Sequence, residues 1–159
     1  MDTQVASKDV QRYRGLSPNG RPGPRAYVVL LGLETFELPA LLRAIEKGLP
    51  WKALERFVRN TGLTVEQVAG LLTLPPRTLA RRKASGRLAP DESDRLVRAA
   101  RIYGRALDLF DGEPDAATEW LTGRNPALGG VPPIDFARTE VGAEEVENVI
   151  GRAEHGVFS

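Results

Sequence analysis

The chain has 159 residues, of which 42% are hydrophobic and 27% are charged. This composition is typical of a globular protein and excludes a disordered one, and the length suits one compact domain or two small ones. The chain has no cysteine, which excludes a disulfide framework and a thiolate metal site. Since no run approaches the ~20 apolar residues of a membrane span and no secretion signal is visible, we expect a cytoplasmic protein without a membrane partner.

The charges are unevenly distributed along the chain. Residues 1–110 carry 19 basic and 11 acidic side chains, a net +8, whereas residues 111–159 carry 3 and 10, a net −7. A basic front half and an acidic rear half suggest two different partners, one of which is a polyanion. The alternative is that the acidic rear half is simply solvated.

The first part of the chain lacks a clear hydrophobic period. Residues 17–24 combine serine, proline, asparagine and glycine, so we predict that residues 1–34 form a flexible basic leader. Its arginines would add a weak attraction for phosphate. Near its end, the apolar run of residues 27–33 fits either a strand or the start of a helix.

Two amphipathic helices are predicted next. The first begins at Glu37 and ends at Lys47-Gly48, and the second begins at Pro50 and ends at Gly62. Their predicted inward sets are Leu38, Leu41, Leu42 and Ile45 in the first helix, and Trp51, Leu54, Phe57 and Val58 in the second. We interpret Trp51 as a core residue rather than a base-stacking residue, since it lies among aliphatic residues at helical spacing.

Residues 64–87 predict a short helix, a tight turn and a second helix. Thr64 can cap the first helix, with Gln67 completing a capping box. Pro75-Pro76 restarts the chain as a helix, and Gly86 ends it. Five basic residues and no acidic residue lie between Arg77 and Arg87. This pattern is that of a helix-turn-helix.

A helix that contacts DNA needs an apolar inner side for rigidity, and cations outside that neutralise phosphates and reach base edges. The predicted DNA-binding residues are Arg77, Thr78, Arg81, Arg82, Lys83 and Arg87. The alternative is an ordinary helical hairpin with a solvated basic face. Because helix-turn-helix proteins of this kind recognise paired half-sites, we expect a homodimer bound to operator DNA.

A long helix is predicted from about Pro90 to Phe110. It is apolar around most of its circumference, so it should be buried on several sides and join two lobes or pair with a second copy. Four further elements complete the chain. They are a short helix near Trp120, a segment rich in glycine and proline, a turn at residues 134–137 and a last helix from about Thr139 to His155. No segment alternates with a period of two, which predicts an all-α fold.

The chain resembles the antitoxins of RES–Xre toxin–antitoxin pairs, in which an Xre-type helix-turn-helix precedes a toxin-binding domain of the MbcA/ParS/Xre class. The resemblance covers residues 37–159. The residues that carry it are 74–83, Gly86-Arg87-Leu88, 92–96, Asn125, 127–130, Pro133, Asp135, 138–140, Gly142, Val146-Glu147, Gly151-Arg152 and 154–157.

The resemblance implies an Xre-like helix-turn-helix bundle at residues 35–104, joined by a long helix to a small helical toxin-binding domain at 105–159. It also implies an antitoxin that represses its own operon and covers, with its C-terminal region, the active site of a RES-domain toxin that consumes NAD or transfers a group from it. The expected toxin-binding residues are Asn125, Gly129, Gly130, Arg152, Glu154, His155, Gly156 and Val157. Glycines at 129 and 130 would let the backbone approach a partner closely, although an ordinary tight turn explains them equally well.

An enzyme is disfavoured, and we expect no catalytic residue, cofactor or metal. His155 is the only histidine. It could form a dyad with Glu154 or Glu140, but an exposed histidine near a chain end is more often incidental. No glycine-rich phosphate loop follows a strand. The remaining alternative is a plain helix-turn-helix repressor whose C-terminal domain only dimerises or binds an effector.

Overall fold

The computed structural model describes residues 6–16, 25–34 and 36–156. Over these residues the chain forms α-helices and two short 3₁₀ helices without any strand, which confirms the all-α prediction. The α-helices are α1 Lys8–Gly15, α2 Leu38–Lys47, α3 Trp51–Thr61, α4 Val65–Leu71, α5 Pro76–Ser85, α6 Pro90–Leu109, α7 Pro114–Thr122, α8 Pro133–Phe136 and α9 Glu140–Glu154. The 3₁₀ helices are Ala26–Leu31 and Pro126–Leu128. None of the described helices combines the length and the apolar character needed to cross a membrane.

Helix α6 is the centre of the fold. It packs against α2, α7, α9 and the first 3₁₀ helix, and one hydrophobic cluster extends from the N-terminal helices to α9. At Tyr103, the Phe57 ring of α3 meets the tyrosine edge-on, and the Tyr103 hydroxyl lies 2.9 Å from Thr118 Oγ1 of α7. The prediction that this helix is buried on several sides is therefore confirmed.

The prediction of a flexible leader is wrong for the part of residues 1–34 that the structure describes. Val10 and Tyr13 of α1 are buried, and the apolar run at 27–33 forms the 3₁₀ helix Ala26–Leu31, whose side chains are buried with one exception, Tyr27. The physical reason is burial against α3 and α6, which restores the apolar contacts that such short segments cannot make alone. Residues 1–5 and 17–24 of the predicted leader lie outside the described residues.

Polar contacts fix α1 to both α3 and α6. The Asp9 carboxylate accepts hydrogen bonds from Arg56 Nη2 at 2.6 Å and from Asn60 Nδ2 at 2.8 Å. Burial alone would raise the pKa of Asp9, but these bonds outweigh it and the pKa is lowered. On the other side, the Tyr13 hydroxyl lies 2.9 Å from both the Gly104 carbonyl oxygen and Asp108 Oδ1. Helix α1 therefore ties α3 to the C-terminal end of α6.

Asp108 is expected to lower stability at neutral pH. Burial raises its pKa from 3.8 to about 6, with the Tyr13 hydrogen bond opposing this. Since the folded state binds the proton more tightly than the unfolded chain, this group's contribution falls as pH rises from about 4 to about 6. We expect Asp108→Asn, which keeps an acceptor for Tyr13, to raise the free energy of unfolding by about 1 kcal/mol at pH 7.5 and by little at pH 4.

Urea unfolding at the two pH values measures this effect. Glu119→Gln, on the exposed side of α7, is the matched control and should change stability equally little at both. An Asp108→Asn effect that is the same at both pH values would contradict the prediction.

The predicted inward face of α2 is only partly correct. Leu41 is buried, but Leu38 and Leu42 are 47% and 48% exposed. Helix α2 packs on α6 through a narrow face, so two of its four leucine and isoleucine positions are left outside. Trp51 is buried at the start of α3, as predicted for a core residue.

Candidate functional site

Helices α4 and α5 form the predicted helix-turn-helix. The Thr64 side chain accepts a hydrogen bond from Gln67 N at 3.0 Å, and Gln67 Oε1 accepts one from Thr64 N at 2.9 Å, which confirms the capping box. Val68, Ala69 and Leu71 are buried. After a short turn, α5 begins at Pro76 and ends at Gly86, which adopts a left-handed conformation. Both helices of the predicted motif are therefore present, with the expected end at Gly86.

Helix α5 lies on the surface with three of its cations outward. None of its residues is buried, and Arg77, Arg81 and Lys83 are exposed. Arg77 and Arg81 are four residues apart and so lie on the same side of the helix. Within residues 6–16, 25–34 and 36–156, no carboxylate forms an ion pair with any of these three cations. They are therefore available to an external polyanion.

Two of the predicted DNA-binding residues have partners inside the protein. Arg82 Nε donates to Glu92 Oε1 at 2.7 Å, and Arg82 Nη2 donates to Oε2 at 3.2 Å. Arg87 Nη1 donates to the Gly48 carbonyl oxygen at 2.6 Å. Nothing in the sequence indicates that Glu92 is the partner of Arg82, because its position three residues after Ala89 predicts only a favourable acid in the first turn of α6.

An apolar groove of about 880 Å³ lies between α3, α4 and α5. Trp51 and Leu54 of α3, Val65 and Ala69 of α4, and Leu79 of α5 line it. Helix α5 is therefore packed closely along only part of its inner side, which accounts for its lack of buried residues.

The expected toxin-binding residues fall into two groups, of which the first forms the turn between α7 and α8. The side chain of the buried Asn125 accepts a hydrogen bond from Ala127 N at 2.9 Å. The backbone carbonyl oxygen of Asn125 accepts one from Gly130 N at 2.9 Å. Gly129 and Gly130 have φ values of 68° and 83°, and an added Cβ would meet nothing within 4 Å at either. The backbone conformation thus explains both glycines as a tight turn. Their approach to a partner stays a prediction.

The second group lies at the C-terminal end of α9. Arg152 Nη2 is 3.5 Å from Glu145 Oε1, and Glu154 Oε2 is 3.5 Å from Arg105 Nη2. His155 and Gly156 are exposed, and Val157 lies outside the described residues. This group borders a polar cleft of about 640 Å³ between α6 and α9, which the Asn125–Gly130 turn does not line.

A row of ion pairs joins α6 to α9. Arg98 Nη1 is 3.3 Å from Glu140 Oε2, and Arg101 Nη2 is 2.8 Å from Glu147 Oε1, with Arg105 near the other Glu147 oxygen at 3.6 Å. Part of the positive excess of the front half is therefore neutralised by the acidic rear half. The charge asymmetry along the chain reflects internal pairing as well as any external partner.

Two family models match successive parts of the chain. Residues 40–101 match the family described as the antitoxin Xre-like helix-turn-helix domain, and residues 105–156 match the antitoxin Xre/MbcA/ParS C-terminal toxin-binding domain.

Three curated relatives extend the match over most of the chain. Antitoxin Xre of Yersinia enterocolitica is 32% identical over 92% of this chain and 99% of the relative, and Antitoxin Xre of Photorhabdus laumondii is 32% identical over 81% and 88%. The Prs ADP-ribosylating antitoxin of a Sphingobium strain is 30% identical over 80% of this chain and 91% of the relative. With a helix-turn-helix whose outer cations form no ion pair among the described residues, followed by a matched toxin-binding domain, this chain belongs to the Xre family of antitoxins and is the antitoxin of a toxin–antitoxin system.

Proposed function

We propose that this antitoxin neutralises a RES-domain toxin that consumes NAD or transfers a group from it. In this proposal the C-terminal region covers the active site of the toxin, while α5 binds the operator and represses the antitoxin's own operon. The protein acts in the cytoplasm as a homodimer on paired half-sites. The name of the Sphingobium relative supports an NAD-dependent toxin, because ADP-ribosylation transfers a group from NAD.

The exposed end of α9 is the observation that carries the toxin half of the proposal. Glu154, His155 and Gly156 lie at the surface, inside the segment that matches a toxin-binding domain. A pocket that binds NAD offers cations and polar groups to the phosphates and the nicotinamide, so the Glu154 carboxylate and the hydrogen-bonding groups beside it are complementary to it. At the other end of α9, Val141 is 80% exposed, which gives a partner an apolar side chain to cover.

The three exposed cations of α5, which pair with no carboxylate of the described segments, support the DNA half. Arg77, Arg81 and Lys83 lie exposed on one short helix that Pro76 begins and Gly86 ends. Cations in this arrangement displace counterions from the phosphate backbone, and arginine can also bind guanine edges with two hydrogen bonds. Arg82 and Arg87 contribute to the same surface mainly by stabilising its position through their internal hydrogen bonds. Any contact that these two residues or Thr78 make with DNA stays a prediction.

Co-expression with the open reading frame next to the antitoxin gene tests the proposal. We expect that the neighbouring protein expressed alone depletes cellular NAD, and that both proteins together co-purify as a stable complex while NAD is preserved. If the two proteins do not associate, or if NAD is lost as fast with the antitoxin as without it, the toxin half of the proposal is wrong. A plain repressor would give that second result while still binding DNA.

A further inference from the structure

Packing alone does not fix the rotation of α5 about its axis. No residue of α5 is buried, and its best apolar anchor, Leu79, is only half-buried at the edge of the groove next to α3 and α4. A helix held so weakly by apolar contacts needs another restraint if it is to present the same side chains outward every time. That restraint has to come from polar contacts.

The polar contact is between Arg82 and Glu92. The Glu92 carboxylate is buried, with 5% of the residue exposed, and accepts hydrogen bonds from Arg82 Nε at 2.7 Å, Arg82 Nη2 at 3.2 Å and Ala89 N at 2.7 Å. A buried carboxylate that loses its cation is strongly destabilised. Arg82 therefore cannot swing out to a phosphate without leaving Glu92 uncompensated.

The chain that follows α5 is held as firmly. Trp51 N donates to the Gly86 carbonyl oxygen at 2.9 Å, and Leu88 N donates to the Leu49 carbonyl oxygen at 2.9 Å. These bonds fix where α5 ends. Among the described residues, Arg82 is the side chain of α5 whose ion pair ties the body of the helix to α6.

The spacing along α5 connects Arg82 to the outer cations. At about 3.6 residues per turn, residue 82 lies about 100° around the helix from residue 81 and about 140° from residue 77. A helix rotation that keeps Arg82 against Glu92 therefore keeps Arg77 and Arg81 on the outer side. If the ion pair is broken, α5 can rotate and both arginines leave that position.

We propose that Glu92 and Arg82 are positioning residues for DNA recognition, and that Arg82 acts through Glu92 rather than on the DNA backbone. The inference rests on the proposed DNA-binding function. It also revises the expectation that all the cations of α5 contact DNA, since it assigns Arg82 to holding the helix.

Glu92→Gln separates the two roles of Arg82, because they predict opposite results. The probe is a duplex carrying the sequence immediately upstream of the antitoxin gene, titrated by fluorescence anisotropy against a scrambled duplex of equal length. As a positioning residue, Glu92 is needed, so Glu92→Gln should weaken specific binding about tenfold and reduce the preference over the scrambled duplex. If Arg82 instead contacts phosphate, Glu92→Gln frees it, and binding should be unchanged or tighter.

The controls are chosen to exclude charge and stability effects. Asp91→Asn removes the same charge at the neighbouring position, where the carboxylate is exposed and pairs with Arg95 at 3.3 Å. This variant should bind DNA within twofold of wild type. Arg82→Ala combined with Glu92→Gln should bind no worse than either single variant. Toxin binding by Glu92→Gln should remain at the wild-type level, which a general loss of folding would not allow.

Three results would overturn the inference. One is Glu92→Gln binding as well as Asp91→Asn, and another is a double variant whose losses simply add. If the wild-type protein does not prefer its upstream duplex at all, the repressor half of the proposed function fails and the inference fails with it.

Discussion

Removing residues 152–159 should release the toxin from inhibition and leave DNA binding nearly unchanged. The cut leaves Val149 and Ile150 in place, and these are the last buried side chains of α9 in the part of the chain that the structure describes. It removes two ion pairs of 3.5 Å, Arg152 with Glu145 and Glu154 with Arg105. Such partly exposed pairs contribute about 0–1 kcal/mol each, so the shortened protein should remain folded.

The measurement is the rate of NAD loss catalysed by the purified toxin at increasing ratios of antitoxin. Full-length antitoxin should stop NAD loss near a stoichiometric ratio, whereas the truncated chain should leave most of the activity. Affinity for the upstream duplex, measured on the same samples, is the internal control for folding. Full inhibition by the truncated chain would show that the C-terminal end does not block the active site.

Arg77→Ala and Arg81→Ala should each weaken operator binding by about 1–3 kcal/mol if the side chain contacts a base. Both arginines are exposed on the same side of α5, and neither has a carboxylate partner within the described residues. Their removal therefore breaks no ion pair among the described residues, and the loss should appear in DNA affinity rather than in stability. If a side chain contacts only phosphate, its removal should instead reduce the salt dependence of binding by about one counterion without changing specificity.

Arg124→Ala is the matched control for these two variants. It removes the same charge from an exposed position in the toxin-binding part of the chain, just after α7. Its affinity for the upstream duplex should stay within about twofold of wild type, as expected for an exposed charge that makes no direct contact. Gel-shift titrations in which both α5 variants bind like Arg124→Ala would remove the proposed DNA-binding face.

The helices of the DNA-binding part were predictable because their signals are local. The capping box of Thr64 and Gln67, the proline that begins α5 and the glycine that ends it each act within three or four residues. The long α6 was predictable for a related reason, since an apolar pattern around most of a helix is visible without knowing what covers it.

Contacts between distant segments were not predictable in this way. Asp9 and Arg56 are 47 residues apart, and nothing near either one indicates the other, so the sequence alone predicts a flexible leader where α1 forms. The same limit hid the partner of Arg82, which has the same basic side chain as its exposed neighbours. Leu38 and Leu42 show the opposite error, because an apolar face of a helix is buried only as far as another element reaches.

Residues within one or two helical turns of each other are enough to establish that the chain is helical, where the helix-turn-helix lies and which cations it carries. Which of these cations form ion pairs depends on the packed fold of the described residues. Arg82 is paired with a buried glutamate, Arg98 and Arg101 are paired with α9, and Arg77 and Arg81 remain exposed. The physical reason is that a charge is neutralised by whatever lies within about 4 Å in space, and folding brings together carboxylates and guanidinium groups from distant parts of the chain.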